Sequence, residues 1–233
     1  MKLLITTRAD SGIQDWIDIS HPVFKKYAKR VGADFVVLDH VTDCETGDGR
    51  WHYRIMKHYD LHEDYDRILH LDTDILLTPQ CPNIFEIVPY DCIGVVLEDK
   101  GSRAHARFNS IISAQKKFGD IGWRSGYINT GTFLTSKCHK DIYQKINGEY
   151  WMGWGSDDVH LAYLIHGFRY KIFELPYQFN HMTMFSDPWN GNKHRYDSYA
   201  IHYAGKGIFD SSIADNKLDH MRHDYNVLYE KRV

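Results

Sequence analysis

Short apolar runs of strand length alternate with stretches of helical periodicity from the first residues onward, and few architectures accept that order. Leu3 to Thr7 reads as a strand, and Asp10-Ser11 supplies helix-capping oxygens behind it. Ile13, Trp16, Ile17, Phe24, Tyr27 and Val31 follow at helical spacing, with Pro22 predicting a kink or break and Gly32 the stop. Phe35 to Leu38 is a second strand, Asp43 to Arg50 a polar loop, and a helix over about 51–63 leads into a third strand, Arg67 to Leu71. Further strands are expected over 93–97, 127–135, 170–175 and 199–203. Helices are expected over 103–118 and 137–146, from a Ser156 cap to a Gly167 stop, and from about Ala214, with 176–196 a loop. This predicts an α/β fold, a central mostly parallel sheet flanked by helices, with ligands bound beyond the carboxyl ends of its strands. No repeat, low-complexity tract or linker divides the chain, so residues 1–233 are expected to form one domain.

A length of 233 residues suits one sizeable core, and 43% hydrophobic with 25% charged residues is an ordinary globular balance. With 28 basic against 31 acidic residues the chain lacks the basic excess of a duplex nucleic-acid binder. No apolar stretch approaches the ~18 residues that span a bilayer. The first residues read as a strand rather than a signal peptide. Cys44, Cys81, Cys92 and Cys138 are scattered, with no C-x-x-C pair, which fits reduced thiols and a cytoplasmic location. The 15 His, 16 Tyr and 6 Trp suit a site that handles a metal and ring-shaped polar ligands.

The third strand runs into the most informative segment, Leu69-His70-Leu71-Asp72-Thr73-Asp74-Ile75-Leu76-Leu77. In an extended segment residues i and i+2 point the same way, so Asp72 and Asp74 aim two anions at one place. Such a pair persists where a cation lies between, and a hard divalent ion with oxygen ligands, Mn²⁺ or Mg²⁺, is the natural candidate. The apolar frame on both sides distinguishes the pair from ordinary turn aspartates. Haloacid-dehalogenase phosphatases and nucleotide-sugar glycosyltransferases of the GT-A fold both place a D-x-D at a strand end. The phosphatase pattern D-x-D-x-[TV] follows a first strand and fails at Leu76, whereas the glycosyltransferase placement fits.

The sequence resembles the family that contains glycogenin and the bacterial lipopolysaccharide α-galactosyltransferases, through five segments in family order. Tyr65 to Asp74 is similar to its helix, strand and metal motif, and Tyr127-Ile128-Asn129-Thr130-Gly131 to its F-N-x-G segment. Ser156-Asp157-Asp158 stands where the family has Asp-Gln opening a helix; Phe179-Asn180-His181-Met182 resembles its F-N-x-M stretch, and Ile201-His202-Tyr203-Ala204-Gly205-Lys206 its H-x-x-G-x-x-K-P motif.

The resemblance implies a GT-A, Rossmann-like glycosyltransferase that moves a hexose from a nucleoside diphosphate, UDP foremost, to a glycan or glycoconjugate hydroxyl. It implies Asp72, Asp74 and His202 as ligands of Mn²⁺ or Mg²⁺, with Asp72 also reaching the ribose. Lys206, after Gly205, would meet the diphosphate; Asn129, beside Thr130, would face the donor sugar; Thr73 sits inside the metal motif. Arg54 matches the family's donor-contacting base, with Lys57 its neighbour and rival. The loop from Thr6 through Thr7 to Asp10 is expected to line the nucleotide base. Asp157 or Asp158 would lie beside the reacting carbon.

Two departures bear on stereochemistry. Asp158 replaces the family's Gln, and Trp151-Met152-Gly153-Trp154-Gly155-Ser156-Asp157-Asp158 also resembles the W-G-W-G-G-E-D-D segment of inverting β1,4-galactosyltransferases. There the acid is a general base and His181 would compete as the metal's imidazole. Retention is the favoured expectation, inversion with Asp157 or Asp158 as base the alternative, and a phosphatase or a non-catalytic sugar-nucleotide-binding module the rival classes. Trp151, Trp154 and Trp189 could stack on an acceptor sugar. His58 and His62 are expected on a wet helix face, and His220 on a surface helix.

Overall fold

The apolar runs form the strands they predict, because branched side chains pack well on both faces of a buried sheet. The computed structural model describes residues 1–40, 50–184, 191, 193–205 and 216–230. In chain order these hold β1 (Leu3–Arg8), α1 (Gln14–Val31), β2 (Asp34–Leu38), α2 (His58–Asp64), β3 (Arg67–Leu71), β4 (Ile75–Leu77), α3 (Ile84–Ile87) and β5 (Cys92–Leu97). Then come α4 (Ala104–Phe118), β6 (Ile128–Ser136), α5 (Ser156–Gly167), β7 (Lys171–Glu174), β8 (His181–Met182), β9 (Ala200–His202) and α6 (Lys217–Tyr225). Among the described residues no helix is long and apolar enough to cross a membrane.

The main sheet has six strands in the order β2-β1-β3-β6-β5-β7. Pairings β1–β2, β1–β3 and β5–β7 are parallel, and β6 runs antiparallel to β3 and β5. The chain leaves β1 towards β2 on one side and returns to β3 on the other, so a crevice opens at the carboxyl ends of β1 and β3. A second sheet, β4-β9-β8, hangs from that crevice. Its register pairs Ile75 with His202, and the Tyr203 N–H donates to the Asp74 carbonyl at 2.9 Å. Antiparallel pairing of two short apolar strands thus brings a residue far along the chain beside the acidic pair. Leu69, Leu71, Ile75, Leu76, Ile201 and Tyr203 are all buried, and each such side chain contributes roughly 1.5–3 kcal/mol.

Several local expectations give way. Pro22 does not break α1. Pro22 and Asp18, whose carbonyl it cannot bond, are both exposed, so water can take the missing bond. The expected helix over 51–63 begins as a 3-10 turn, Arg50–Lys57, before α2. The expected helix over 137–146 is only a 3-10 turn, Lys137–Tyr143, where the Ser136 N–H donates to His139 Nδ1 and Gln144 is extended. Ser156 makes no side-chain cap to α5; Gly155, left-handed at φ 85°, precedes it, and Ser156 itself has φ 33°. The segment 176–196 contributes β8, and Ala214 lies outside the described residues.

His58 and His62 face inward instead of water. Both are buried, because α2 packs on the Lys137–Tyr143 turn and their rings hydrogen-bond to Thr6, Tyr143 and Thr135 at 2.8, 3.1 and 3.0 Å. His220 is buried too, 5.4 Å from the Tyr203 ring. It belongs to the junction that fixes α6. There the fully buried Asp224 accepts from Arg195 Nε, Tyr196 OH and Tyr203 OH, each at 2.7 Å. Asp224→Ala would strand a guanidinium and two hydroxyls, so it is predicted to lower stability by about 3–5 kcal/mol. Urea unfolding checks this, and a loss below about 1 kcal/mol would mean that the junction is not structural.

Candidate active site

The turn after β3 and the end of β9 meet. One oxygen each of Asp72 and Asp74 and one nitrogen of His202 lie within 4.8 Å of one another. His202 Nε2 stands 3.1 Å from Asp74 Oδ1 and 3.8 Å from Asp72 Oδ2. Burial opposes a charge on this imidazole, but Asp74 and then Asp72 outweigh it and hold its pKa above the ordinary value. Two carboxylates and an imidazole form an oxygen-rich donor set with one nitrogen, which fits Mn²⁺ or Mg²⁺. Gly131 makes the approach possible, since a Cβ there would lie 2.5 Å from His202 Cε1 and 2.8 Å from Nδ1.

Arg8, the last residue of β1, joins this cluster to a second acidic pair. Its Nη2 pairs with Asp72 Oδ1, and its Nη1 pairs with Asp157 Oδ2 at 2.6 Å and donates to the His52 carbonyl at 2.7 Å. Burial works against the guanidinium charge, but Asp157 and Asp72 overcome it and raise its pKa. Burial likewise opposes ionisation of Asp72 and Asp157. Arg8 reverses it in both, helped by His70 at Asp72 and His52 at Asp157, so both carboxyls fall below the usual range.

Asp157 and Asp158 open α5, whose free N–H groups favour acids in the first turn. Thr130 holds both. Its N–H donates to Asp158 Oδ1 at 2.8 Å, and its hydroxyl lies 2.9 Å from Asp157 Oδ2 and 2.8 Å from Asp158 Oδ1. With Arg8 committed to Asp157, burial and then the Asp157 charge push the Asp158 carboxyl up to about 7. Two adjacent acids therefore divide into one ionised and one that holds its proton near neutrality.

All of this faces one cleft of 1180 Å³, roomy enough for a nucleotide-sized ligand and more. Asp10, Arg54, Thr73, Asn129 and Gly205 also line it. Arg54 is ion-paired to Asp10 at 3.0 Å, whereas Lys57 is exposed on Asp60. Thr7 lies behind the wall, 3.0 Å from the Thr73 hydroxyl, which donates to the Arg8 carbonyl. Lys206 and Trp189 fall outside the described residues. His181 is bound to Ser198 at 2.9 Å and takes no part in the Asp72-Asp74-His202 group. Trp151 is buried, its indole N–H donating to the Trp154 carbonyl at 3.0 Å, while Trp154 is 60% exposed at the cleft.

Sequence reasoning overlooks His52, Glu98, Arg107 and Lys217, all of which line the cleft, and it places Arg8 only in the loop at the nucleotide base, without its two carboxylate partners. For Arg8 a signal existed, since a charged residue closing a buried strand needs a buried partner. Nothing local marks Glu98, which accepts from Asn129 Nδ2 at 2.7 Å and from Arg107.

No family profile and no curated protein sequence matches the chain. Solved structures do. A glycosyltransferase involved in the glycosylation of the major capsid of PBCV-1 superposes with a TM-score of 0.62 at 15% identity, covering 95% of this chain and 99% of that one. The galactosyltransferase LgtC, in complex with donor and acceptor sugar analogues, gives 0.59 at 15% identity, covering 97% and 96%. The bifunctional glycosyltransferase WbbM gives 0.59 at 12% identity, covering 89% of this chain and 46% of that one. The chain has the GT-A fold. At these identities the likeness is one of architecture.

Gly131→Ala is predicted to push the buried His202 ring aside at a stability loss of about 1–3 kcal/mol. Mn²⁺ titration should show weakened binding by a protein that still folds, and unchanged affinity would contradict the packing argument. Asp158 makes a second prediction. Its folded pKa is raised, so between about pH 4 and about pH 7 the folded chain holds a proton that the unfolded chain has released. Stability from this group is therefore present at the acid end and lost as pH rises. Asp158→Asn should remove that loss, narrowing the fall in urea stability between pH 5 and 8 by at least about 1 kcal/mol; parallel pH profiles for the two proteins would contradict it.

Proposed function

We propose that the protein is a metal-dependent glycosyltransferase moving a hexose from a nucleoside-diphosphate sugar, UDP foremost, to a hydroxyl of a glycan, glycolipid or glycoprotein. One observation carries the reading: Asp72, Asp74 and His202 converge at one end of a GT-A cleft whose wall also holds Asp157 and Asp158. In this reading the three side chains hold Mn²⁺ or Mg²⁺. When bound, such an ion offsets the charge that develops on the departing diphosphate.

The remaining residues divide the work by position. Arg8 balances Asp72 and Asp157, so the cleft presents less bare negative charge to an anionic donor. Lys217, half-buried beside Asp74, supplies a cation at the diphosphate end, where Lys206 is expected as well. Asn129 and Thr130 form the wall at the sugar end, and Thr73 and Gly205 line the phosphate end. Trp154, and Trp51 at 48% exposure, present indole faces on which an acceptor sugar can stack.

Retention is the favoured stereochemistry, with the departing phosphate oxygen taking the acceptor proton and an aspartate stabilising positive charge on the sugar. For inversion the structure favours Asp158 over Asp157. A base works best with a pKa near the operating pH. Asp158 meets that condition, while Asp157 is held ionised by Arg8 and His52.

A panel of nucleotide sugars with Mn²⁺, Mg²⁺ or EDTA tests the proposal. UDP is expected to be released slowly from a UDP-hexose with metal present, and His202→Ala or Asp74→Asn should reduce release roughly a hundredfold or more. Binding without release would support the non-catalytic module, and turnover of a phosphate ester without response to sugar nucleotides the phosphatase. Proton NMR of the first-formed product distinguishes retention from inversion.

A further inference from the structure

The side chain of Asn180 touches the metal cluster from behind. Asn180 is fully buried and absent from the cleft lining, so it cannot meet a substrate there. Its neighbours form a chain whose direction can be read from one end. The backbone N–H of Gly131 can only donate, and it does so to Asn129 Oδ1 at 2.9 Å. That fixes the Asn129 amide, whose Nδ2 accordingly donates to Glu98 Oε1 at 2.7 Å. Asn129 Oδ1 also accepts from Asn180 Nδ2 at 2.6 Å, which fixes the second amide and turns Asn180 Oδ1 towards His202 Nδ1, again at 2.6 Å. An amide oxygen only accepts. Nδ1 of His202 must therefore carry a proton, and Nε2 is the nitrogen presented to Asp72 and Asp74.

We propose that Asn180 is a positioning residue. By accepting the Nδ1 proton it fixes the tautomer and ring plane of His202, so that Nε2 can serve as a metal ligand, and Asn129 and Glu98 in turn hold Asn180 in that orientation. The inference rests on the metal reading above and adds what makes His202 competent. Partners behind a metal-bound histidine do this generally, and losing one weakens metal affinity about 10- to 100-fold. Without Asn180 the buried Nδ1 has no acceptor, and a neutral ring gains by moving its proton to Nε2, against Asp74, where it competes with a cation. The chain also ties the two ends of the cleft, since Asn129 belongs to the sugar end and His202 to the metal end.

The test is Mn²⁺ binding to the full chain, read by the electron paramagnetic resonance signal of the free ion, for wild type, His202→Ala, Asn180→Leu and Asn180→Asp. Asn180→Leu is expected to weaken Mn²⁺ about 10- to 100-fold. Asn180→Asp keeps an acceptor for Nδ1 but loses the donor to Asn129 Oδ1, so it is expected to weaken Mn²⁺ binding less than Asn180→Leu does. Loss of Mn²⁺ binding in His202→Ala with full binding in Asn180→Leu overturns this proposal alone. Wild-type affinity in His202→Ala overturns the metal reading, and the proposal with it. A purely structural Asn180 would lower the melting temperature of Asn180→Leu and leave its Mn²⁺ affinity unchanged. Independently of any variant, long-range ¹⁵N–¹H correlation on the Mg²⁺-loaded wild type should find His202 protonated at Nδ1; a bare Nδ1 overturns the assignment.

Discussion

Four aspartates converge on one crevice, and their mutual repulsion is the constraint to which the surrounding structure answers. Asp72 and Asp74 leave β3, Asp157 and Asp158 open α5, and carboxylates so close in a partly buried crevice need compensating charge to stay ionised together. The chain supplies it in three ways. Arg8 stands between Asp72 and Asp157, His202 stands against Asp74, and burial together with the Asp157 charge raises Asp158 towards neutrality. A divalent ion at the first pair would complete the balance, so the electrostatics that hold the crevice together also prepare it for a diphosphate.

The polar interior extends beyond the crevice. From Asp72 a run of buried hydrogen bonds passes through His70, Thr6, His58, Tyr143 and Thr135 to His62, with spacings of 2.8 to 3.3 Å. Burial depresses the pKa of His58, His62 and His70. A neutral imidazole offers one donor and one acceptor, which suits it to the middle of such a run. Polar groups so placed favour one arrangement of α2 on the sheet, because any other leaves them unpaired. The floor beneath Asp72 is thus a hydrogen-bonded lattice.

How much of this was legible depends on whether the signal was local. Alternating strands and helices could be read because buried strands and amphipathic helices leave distinct periods. Asp72 and Asp74 could be read because acids inside an apolar frame demand a partner, and five short segments in family order carried the GT-A fold. The partners of Arg8 could not be read, since its two carboxylates lie 64 and 149 residues away. His58 and His62 look solvated in sequence and are buried in fact, for their partners come from β1, β6 and the turn after it. Asn180 sat within a recognised segment, but its role appears only with the direction of its hydrogen bonds. β4 is a three-residue strand that hid inside the acidic motif's flank, and its pairing with β9 is what delivers His202.

The central claim, that strand-end carboxylates and one distant imidazole grip a single ion, can be met directly by electron spin-echo envelope modulation on the Mn²⁺-loaded protein. The expected result is ¹⁴N modulation from a directly bound imidazole nitrogen, replaced by ¹⁵N coupling when histidine alone is ¹⁵N-labelled and absent from His202→Ala. Mn²⁺ bound with no nitrogen coupling, or with coupling that survives the loss of His202, would contradict it.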